Sequence, residues 1–280
     1  MLNTSSRRAF QLRALGLARR TVRVSRGSAV FHVSTRDRVV GRHVYIHGDF
    51  EAAVLRRVYA LLRKTGRGHG TLIDIGANIG TTCVQALVEG LATDAIAIEP
   101  EAGNFSLLER NIRANGLEGR VTPLRLALSD REGAAEFELS RDNSGDHRVR
   151  LNGATGMFDE TTRATMSVAT STFDALVEQG TIDLQRTGLV WMDVQGHEGQ
   201  VLAGASTLLG SDVPVVLEYW PYGLERAGGQ ALLDEIVRDS YRWFIDLRNE
   251  GTDRRPVDEI GALAGSIVPP YFTDLLLLKE

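Results

Sequence analysis

The 280-residue chain has one cysteine, Cys83, and only seven prolines. A single cysteine excludes an intrachain disulfide framework and a cysteine-based zinc cluster, and it points to a reducing compartment. Sparse proline beside 29 glycines, with 43% hydrophobic and 24% charged residues, excludes collagen-like, mucin-like and wholly disordered chains. No apolar run reaches the ~18 residues of a membrane-spanning helix. The N-terminus also lacks the apolar stretch of a signal peptide, so a cytoplasmic protein is expected. Lysine is nearly absent, at two against thirty arginines, and acid is missing altogether from residues 1–36, which carry eight arginines. The remainder then holds 24 basic against 36 acidic residues, a formal −12 that disfavours a nucleic-acid surface.

Within that leader, Phe10, Ala14, Leu17 and Ala18 fall at helical spacing among arginines. Three readings stay open for it: a helix docked on the body, a transit peptide, or a peripheral contact of residues 1–36 with anionic lipid at the inner membrane face or with another polyanion. AVFHV at 29–33 and HVYIH at 43–47 alternate as the arms of an N-terminal β-hairpin. Residues 1–47 are accordingly expected to form a leader and hairpin, and 48–280 the main domain.

From Leu72 onward strands and helices alternate: LIDI, a helix near 80–89, AIAIE at 95–99, a helix near 103–115, then VTPLRLAL. This pattern predicts an α/β fold with a doubly wound, mostly parallel sheet. Residues 134–170 break it with three strand-like runs, read as a β-rich insertion. Alternation resumes through LVWMDV at 189–194, VPVVLEY at 213–219 and YRWFIDL, and closes on the buried strand TDLLLLKE.

Asp74-Ile-Gly-Ala-Asn-Ile-Gly80 lies between a strand and a helix, where open α/β sheets place their ligands. Its glycines allow close backbone approach, and Glu99 at the end of the next strand can accept both hydroxyls of a ribose. An acid at position 74 suits a ligand that is cationic there better than a pyrophosphate, and the spacing lacks G-x-G-x-x-G. A nucleotide-dependent oxidoreductase is thus the weaker enzyme reading. A non-catalytic protein that binds membrane or polyanion on the same fold is a further alternative.

LIDIGANIG followed by AIAIEP resembles the first two motifs of class I S-adenosylmethionine-dependent methyltransferases, and WMDVQGHEGQVLAGA at 191–205 resembles the signature of the FkbM family among them. GDFE at 48–51, LALSDREG at 126–133 and DNSGDHRV at 142–149 are further matches. The resemblance implies a Rossmann-like seven-stranded sheet with its last strand antiparallel. It also implies O-methylation of a hydroxyl on a sugar, glycolipid or polyketide-type small molecule. Carried over by position, Asp74, Gly76, Ala77, Asn78 and Gly80 would surround the methionine part of S-adenosylmethionine. Glu99 and Pro100 would take the ribose, and Ala127 and Leu128 would flank the adenine.

Asp193, His197 and Glu198 follow the LVWMDV strand, and Glu218 ends the next parallel one, so all four are candidate catalytic residues. An alcohol is a poor nucleophile until its proton begins to leave, and Asp193, His197 and Glu198 are the candidate bases. Alternatively, Asp193 and Glu218 would hold Mg²⁺ against the acceptor oxygen. Tyr219, Trp220 and Tyr222 could wall the acceptor. Val268-Pro-Pro-Tyr271 stands too far downstream, and begins with the wrong residue, for the Pro-Pro-aromatic turn of amino-methylating enzymes.

Overall fold

The computed structural model describes residues 21–150, 156–249, 251 and 253–280. An antiparallel ribbon of β1 (Thr21–Val24) and β2 (Phe31–Ser34) comes first. The main sheet starts with β3 (Thr71–Ile75), β4 (Asp94–Ile98) and β5 (Val121–Leu124). The chain then leaves it to build a separate sheet from β6 (Ala127–Leu128), β7 (Gly133–Leu139), β8 (Arg148–Val149) and β9 (Ala164–Ser171), in the order β6-β9-β7-β8. β10 (Thr187–Met192), β11 (Val215–Tyr219), β12 (Trp243–Asp246), β13 (Arg255–Pro256) and β14 (Thr273–Leu278) complete the main sheet, whose order is β13-β12-β14-β11-β10-β3-β4-β5. The five strands from β11 to β5 are parallel, and β14 inserts antiparallel between β11 and β12.

The doubly wound α/β fold and the β-rich insertion are as expected, with three differences. The main sheet has eight strands, not seven. The extra one, β13, is a two-residue edge pairing with β12, where Pro256 needs no further donor and the Arg255 guanidinium lies over the Phe244 ring at 4.9 Å. Second, the N-terminal hairpin exists with different arms, because β2 pairs with β1 while Val40–His47 is a helix. Val40, Gly41, Val44 and Tyr45 bury one side of that helix, and Asp37 accepts the N–H groups of Val39 and Gly41 at its start, each at 2.9 Å. Five residues reading HVYIH satisfy either period, and burial against the body chose the helical one. Third, VTPLRLAL does not run as one strand but splits into β5 and β6, which belong to different sheets. The helix expected within residues 7–20 lies outside the described residues.

Both faces of the main sheet are covered, and strand parity shows it. Leu72 on β3 and Leu189 and Trp191 on β10 pack with the ribbon and the helices Val40–His47, Ala52–Arg63 and Thr81–Val88. Ile73, Ile75, Val190 and Met192 pack on the other face with the helices Phe173–Glu178, Glu198–Ala203 and Gln230–Ser240. Continuous apolar runs are what a parallel strand buried on both sides requires. Cys83 is a buried free thiol in the first of these cores. No helix among the described residues is long and apolar enough to cross a membrane.

Candidate active site

The same parity aims four carboxylates one way. Leu72, Trp191, Val216 and Leu276 share one face of the sheet, so Asp74, Asp193, Glu218 and Asp274, each two residues from one of them, point to that face as well. Register aligns them across neighbouring strands: Asp74 lies beside Trp191, and Glu218 beside Asp274. Asp74, Asp193 and Glu218 line a cavity of about 620 Å³ at the carboxyl end of the parallel strands, and Asp274 lies behind its wall beside Glu218.

On the β3–β4 side, side chains hold backbone. Asp74 Oδ2 accepts the Cys83 N–H at 3.0 Å, closing the first turn of the helix Thr81–Val88. Glu99 accepts from the Asn78 N–H at 3.0 Å through one oxygen and from the Glu101 N–H at 2.8 Å through the other. Each carboxylate oxygen keeps a second lone pair for a ligand. Burial pushes Asp74 up to about 7 and Glu99 up to about 8, against the pull of these hydrogen bonds. Gly76 is required rather than tolerated: its φ is +85°, and a Cβ there would lie 1.8 Å from the Asp193 carbonyl oxygen.

On the β10–β11–β14 side, side chains hold one another. Gln195 Nε2 donates to Asp193 Oδ1 at 2.7 Å and to Glu218 Oε2 at 2.9 Å, bridging the two acids. Glu51, at the start of the helix Ala52–Arg63, and Asp274 belong to the same electrostatic group. Burial pushes Asp193 up to about 6 and Asp274 to about 7. Glu51 and Glu218 are raised well above the carboxylate range, by burial first and then by the neighbouring acids. All four are thus shifted toward their protonated forms.

The backbone is strained here as well. Among the described residues, the non-glycine positions with positive φ are Glu51, Asn78, Asp159 and Gln195, and all four line the cavity. Such conformations are costly for residues with a Cβ and persist where the surroundings over-determine them, as binding sites do. The insertion supplies the roof. Asn104 Nδ2 donates to the Ser144 carbonyl at 3.1 Å, and Ser144 Oγ donates to Asp37 Oδ2 at 2.5 Å, seating the 143–146 turn over the β3–β4 side. Beneath it Arg148 bridges Glu138, Asp146 and Glu160 while nearly fully buried. Its guanidinium lies over the Trp220 ring at 5.2 Å.

Residues 74–237 match the family model described as the methyltransferase FkbM domain. The chain belongs to the FkbM methyltransferase family. Hexuronic acid methyltransferase AglP of Haloferax volcanii is 32% identical over 162 residues, which cover 58% of this FkbM-family chain and 60% of AglP. The match therefore spans less than two thirds of that relative. The 2-O-methyltransferase NoeI of Sinorhizobium fredii is 27% identical over 174 residues, 59% of this chain and 68% of NoeI. A crystal structure of methyltransferase FkbM from Methylobacillus flagellatus aligns over 84% of this chain and 52% of its own, at 16% identity and a TM-score of 0.46.

In this FkbM-family fold Asp74, Gly76, Ala77, Asn78, Glu99 and Pro100 line the cavity, and so do Ala127 and Leu128. Gly80 does not; it is the left-handed residue before the helix Thr81–Val88, where a Cβ would meet Leu108 Cδ1 at 2.7 Å. Asp193, His197 and Glu218 line the cavity. Glu198 lies behind it, fully buried, accepting the Val194 N–H at 3.1 Å and the Gly196 N–H at 3.3 Å and so bracing the turn that presents Gln195. His197 Nε2 is 3.0 Å from Ser129 Oγ, next to β6, and burial lowers its pKa to about 4. Of the aromatic run only Trp220 reaches the cavity, joined edge-on by Phe158 of the insertion at 5.6 Å. Tyr219 is core, its hydroxyl bonded to Asp234, and Tyr222 ties its hydroxyl to Glu160.

Sequence reasoning missed Asp274, Asp146 and Phe158, and it quoted Glu51 within GDFE without a role. For Mg²⁺, the described residues contain no group of three or more His, Cys, Asp or Glu arranged to hold a metal ion. The Gln195 amide already occupies the place between Asp193 and Glu218 that a cation would need.

Proposed function

We propose that the protein is an S-adenosylmethionine-dependent O-methyltransferase acting on a hydroxyl of a sugar-type small molecule, with residues 48–280 as its catalytic domain. The β3–β4 side fits the cofactor. Asp74 can face a cationic methionine moiety, Glu99 has lone pairs left for ribose hydroxyls, and Asn78 Oδ1 is buried without a hydrogen-bond partner. Ala127, Leu128 and the uncharged His197 would flank the adenine, with Gly76 and Ala77 allowing close approach and Pro100 closing the ribose edge. Bound there, the cofactor supplies an electrophilic methyl group on a sulfonium.

The chain's part is to hold the acceptor oxygen in line and to take its proton. Asp193 is the base: ionised at neutral pH, oriented by Gln195, and braced through the turn held by Glu198. Glu218 is a protonated neighbour that donates a hydrogen bond to another acceptor oxygen. The observation that carries this reading is one strained, carboxylate-lined cavity that takes in both the Asp74–Glu99 side and the Asp193–Glu218 pair. AglP is named for a hexuronic acid and NoeI for a 2-O position; an ionised Asp193 facing the acceptor fits a neutral hydroxyl-rich ring better than a uronate, whose carboxylate it would repel. Attachment to an anionic surface through residues 1–36 is a separate proposal, tested by deleting residues 1–20, which leaves the β1–β2 ribbon in place, and measuring vesicle association.

Calorimetric titration with S-adenosylhomocysteine and with NAD tests the cofactor, and labelled methyl transfer onto a panel of neutral, amino and uronate glycosides tests the acceptor. Binding of NAD without S-adenosylhomocysteine would overturn the methyltransferase reading. Preference for uronates would overturn the acceptor class.

A further inference from the structure

The large apolar side chains left exposed among the described residues are Val39, Met157, Val268, Tyr271 and Phe272. They are not scattered. Val39 precedes the helix Val40–His47, Met157 belongs to the insertion and Phe272 to the loop entering β14, yet all three line the one cavity. Val268 and Tyr271, 67% and 69% exposed, precede Phe272 in that same loop on the outer side of the mouth, and Pro270 between them lines the cavity. Three segments distant in sequence thus put their apolar residues around one mouth, while the buried floor is carboxylate. Single exposed apolar side chains need no explanation, but a converging set marks a surface that something covers.

We propose that this mouth is a subsite for the apolar part of an amphiphilic acceptor: a hydroxyl-bearing sugar reaches the floor while its attached alkyl or polyketide-like chain lies across Val39, Met157 and Val268–Phe272. The inference rests on the methyl-transfer reading for the direction in which the acceptor enters. Continuity argues for this occupant. A molecule whose hydroxyl reaches Asp193 has to pass the residues that line both cavity and mouth. Their arrangement around an opening, on three separate segments, suits a chain better than a flat bilayer. A net −12 outside residues 1–36 also works against docking of this face on an anionic membrane.

The test uses methyl, butyl and octyl β-glucosides, all below micellar concentration, titrated into the full chain saturated with S-adenosylhomocysteine. Affinity is expected to rise with chain length, by ~10-fold or more from methyl to octyl, as each buried methylene adds to binding. In Phe272→Ser, and independently in Met157→Ser on the other lip, that dependence on length should weaken while affinity for S-adenosylhomocysteine stays unchanged. These positions are exposed, so folding is not at stake. Affinity independent of chain length, including no binding of any glucoside, overturns the subsite, as does an unchanged length dependence in both variants. Binding to neutral phosphatidylcholine vesicles without a length dependence would assign the mouth to a membrane and likewise overturn it. Failure to bind S-adenosylhomocysteine would instead sink the methyltransferase reading itself.

Discussion

Across the cavity, two walls handle their acids differently. Asp74 and Glu99 spend lone pairs on the backbone N–H groups of Cys83, Asn78 and Glu101, all within the β3–helix–β4 unit and the loop that follows it. Asp193 and Glu218 share a side-chain amide, and Asp274 and Glu51 crowd the same space from a distant strand and helix. The first wall is anchored to backbone within one strand–helix–strand unit and holds its geometry before any ligand arrives. The second is built from side chains of separate segments and holds protons. A wall of the first kind suits a constant ligand, and one of the second kind suits chemistry on a variable one.

The comparison can be broken at its seam. Gly76→Ala drives a Cβ onto the Asp193 carbonyl at a left-handed position, so it should cost about 4 kcal/mol or more and abolish S-adenosylhomocysteine binding. A melting temperature and titration within error of the wild type would show that the walls are not in contact. Next, Asp193→Asn should lower turnover ~100- to 10,000-fold with S-adenosylhomocysteine affinity within ~3-fold, because only the proton-accepting wall is altered. Full activity in this variant would remove the base from Asp193.

Removing the support of the roof is a matter of stability. Arg148→Ala takes away the buried cation shared by Glu138, Asp146 and Glu160 while Arg163 and Arg226 stay beside them, and should cost about 3 kcal/mol, read by denaturant unfolding. Glu99→Gln should weaken S-adenosylhomocysteine only ~10-fold, since the amide oxygen still accepts one N–H. A loss confined to turnover would place Glu99 on the wrong wall.

The smallest effect is a proton count. Asp74 and Glu99 sit near 7 and 8 in the free fold, whereas carboxylates in an unfolded chain titrate near ~4. Their raised values contribute stability that is complete below ~4 and is lost as pH climbs through 7 and 8. His197 runs the other way: lowered to about 4, it contributes stability that is present above ~6.5 and lost as pH falls toward 4. A ligand that requires both carboxylates ionised must expel their protons. S-adenosylmethionine binding at pH 7 should therefore release about 1.4 protons, roughly half a proton from Asp74 and nine-tenths from Glu99, visible as a buffer-dependent binding heat, and should tighten from pH 6 to 8. A heat independent of buffer would contradict the ionised Asp74–Glu99 pair.

The legibility of each wall in the sequence follows from how it is built. Asp74, Glu99, Asp193 and Glu218 each end an apolar run, which puts them at the carboxyl ends of strands; that Asp193 and Glu218 face one crevice is what the family resemblance implies through the adjacency of their strands. Asp274 is near the start of its strand, and it lies beside Glu218 only because β14 runs antiparallel, a direction that TDLLLLKE does not reveal. Glu51 comes in through a left-handed backbone before a helix, for which its residue type gives no signal. The insertion was visible as β-rich, but Asp146 and Phe158 are aimed by Arg148, Arg163, Glu160 and Tyr222, partners that carry no periodicity. HVYIH misled because five residues are too few to tell a strand from a helix.

The four left-handed side chains at positions 51, 78, 159 and 195 also mark where the protein could become sturdier at its own expense. Glycine at any of them would relax the backbone, and a screen for thermal stability alone would be drawn to these sites. Gln195→Gly would gain that relaxation and remove the amide that keeps two acids apart, so variants selected for heat resistance should accumulate the very changes that silence the site.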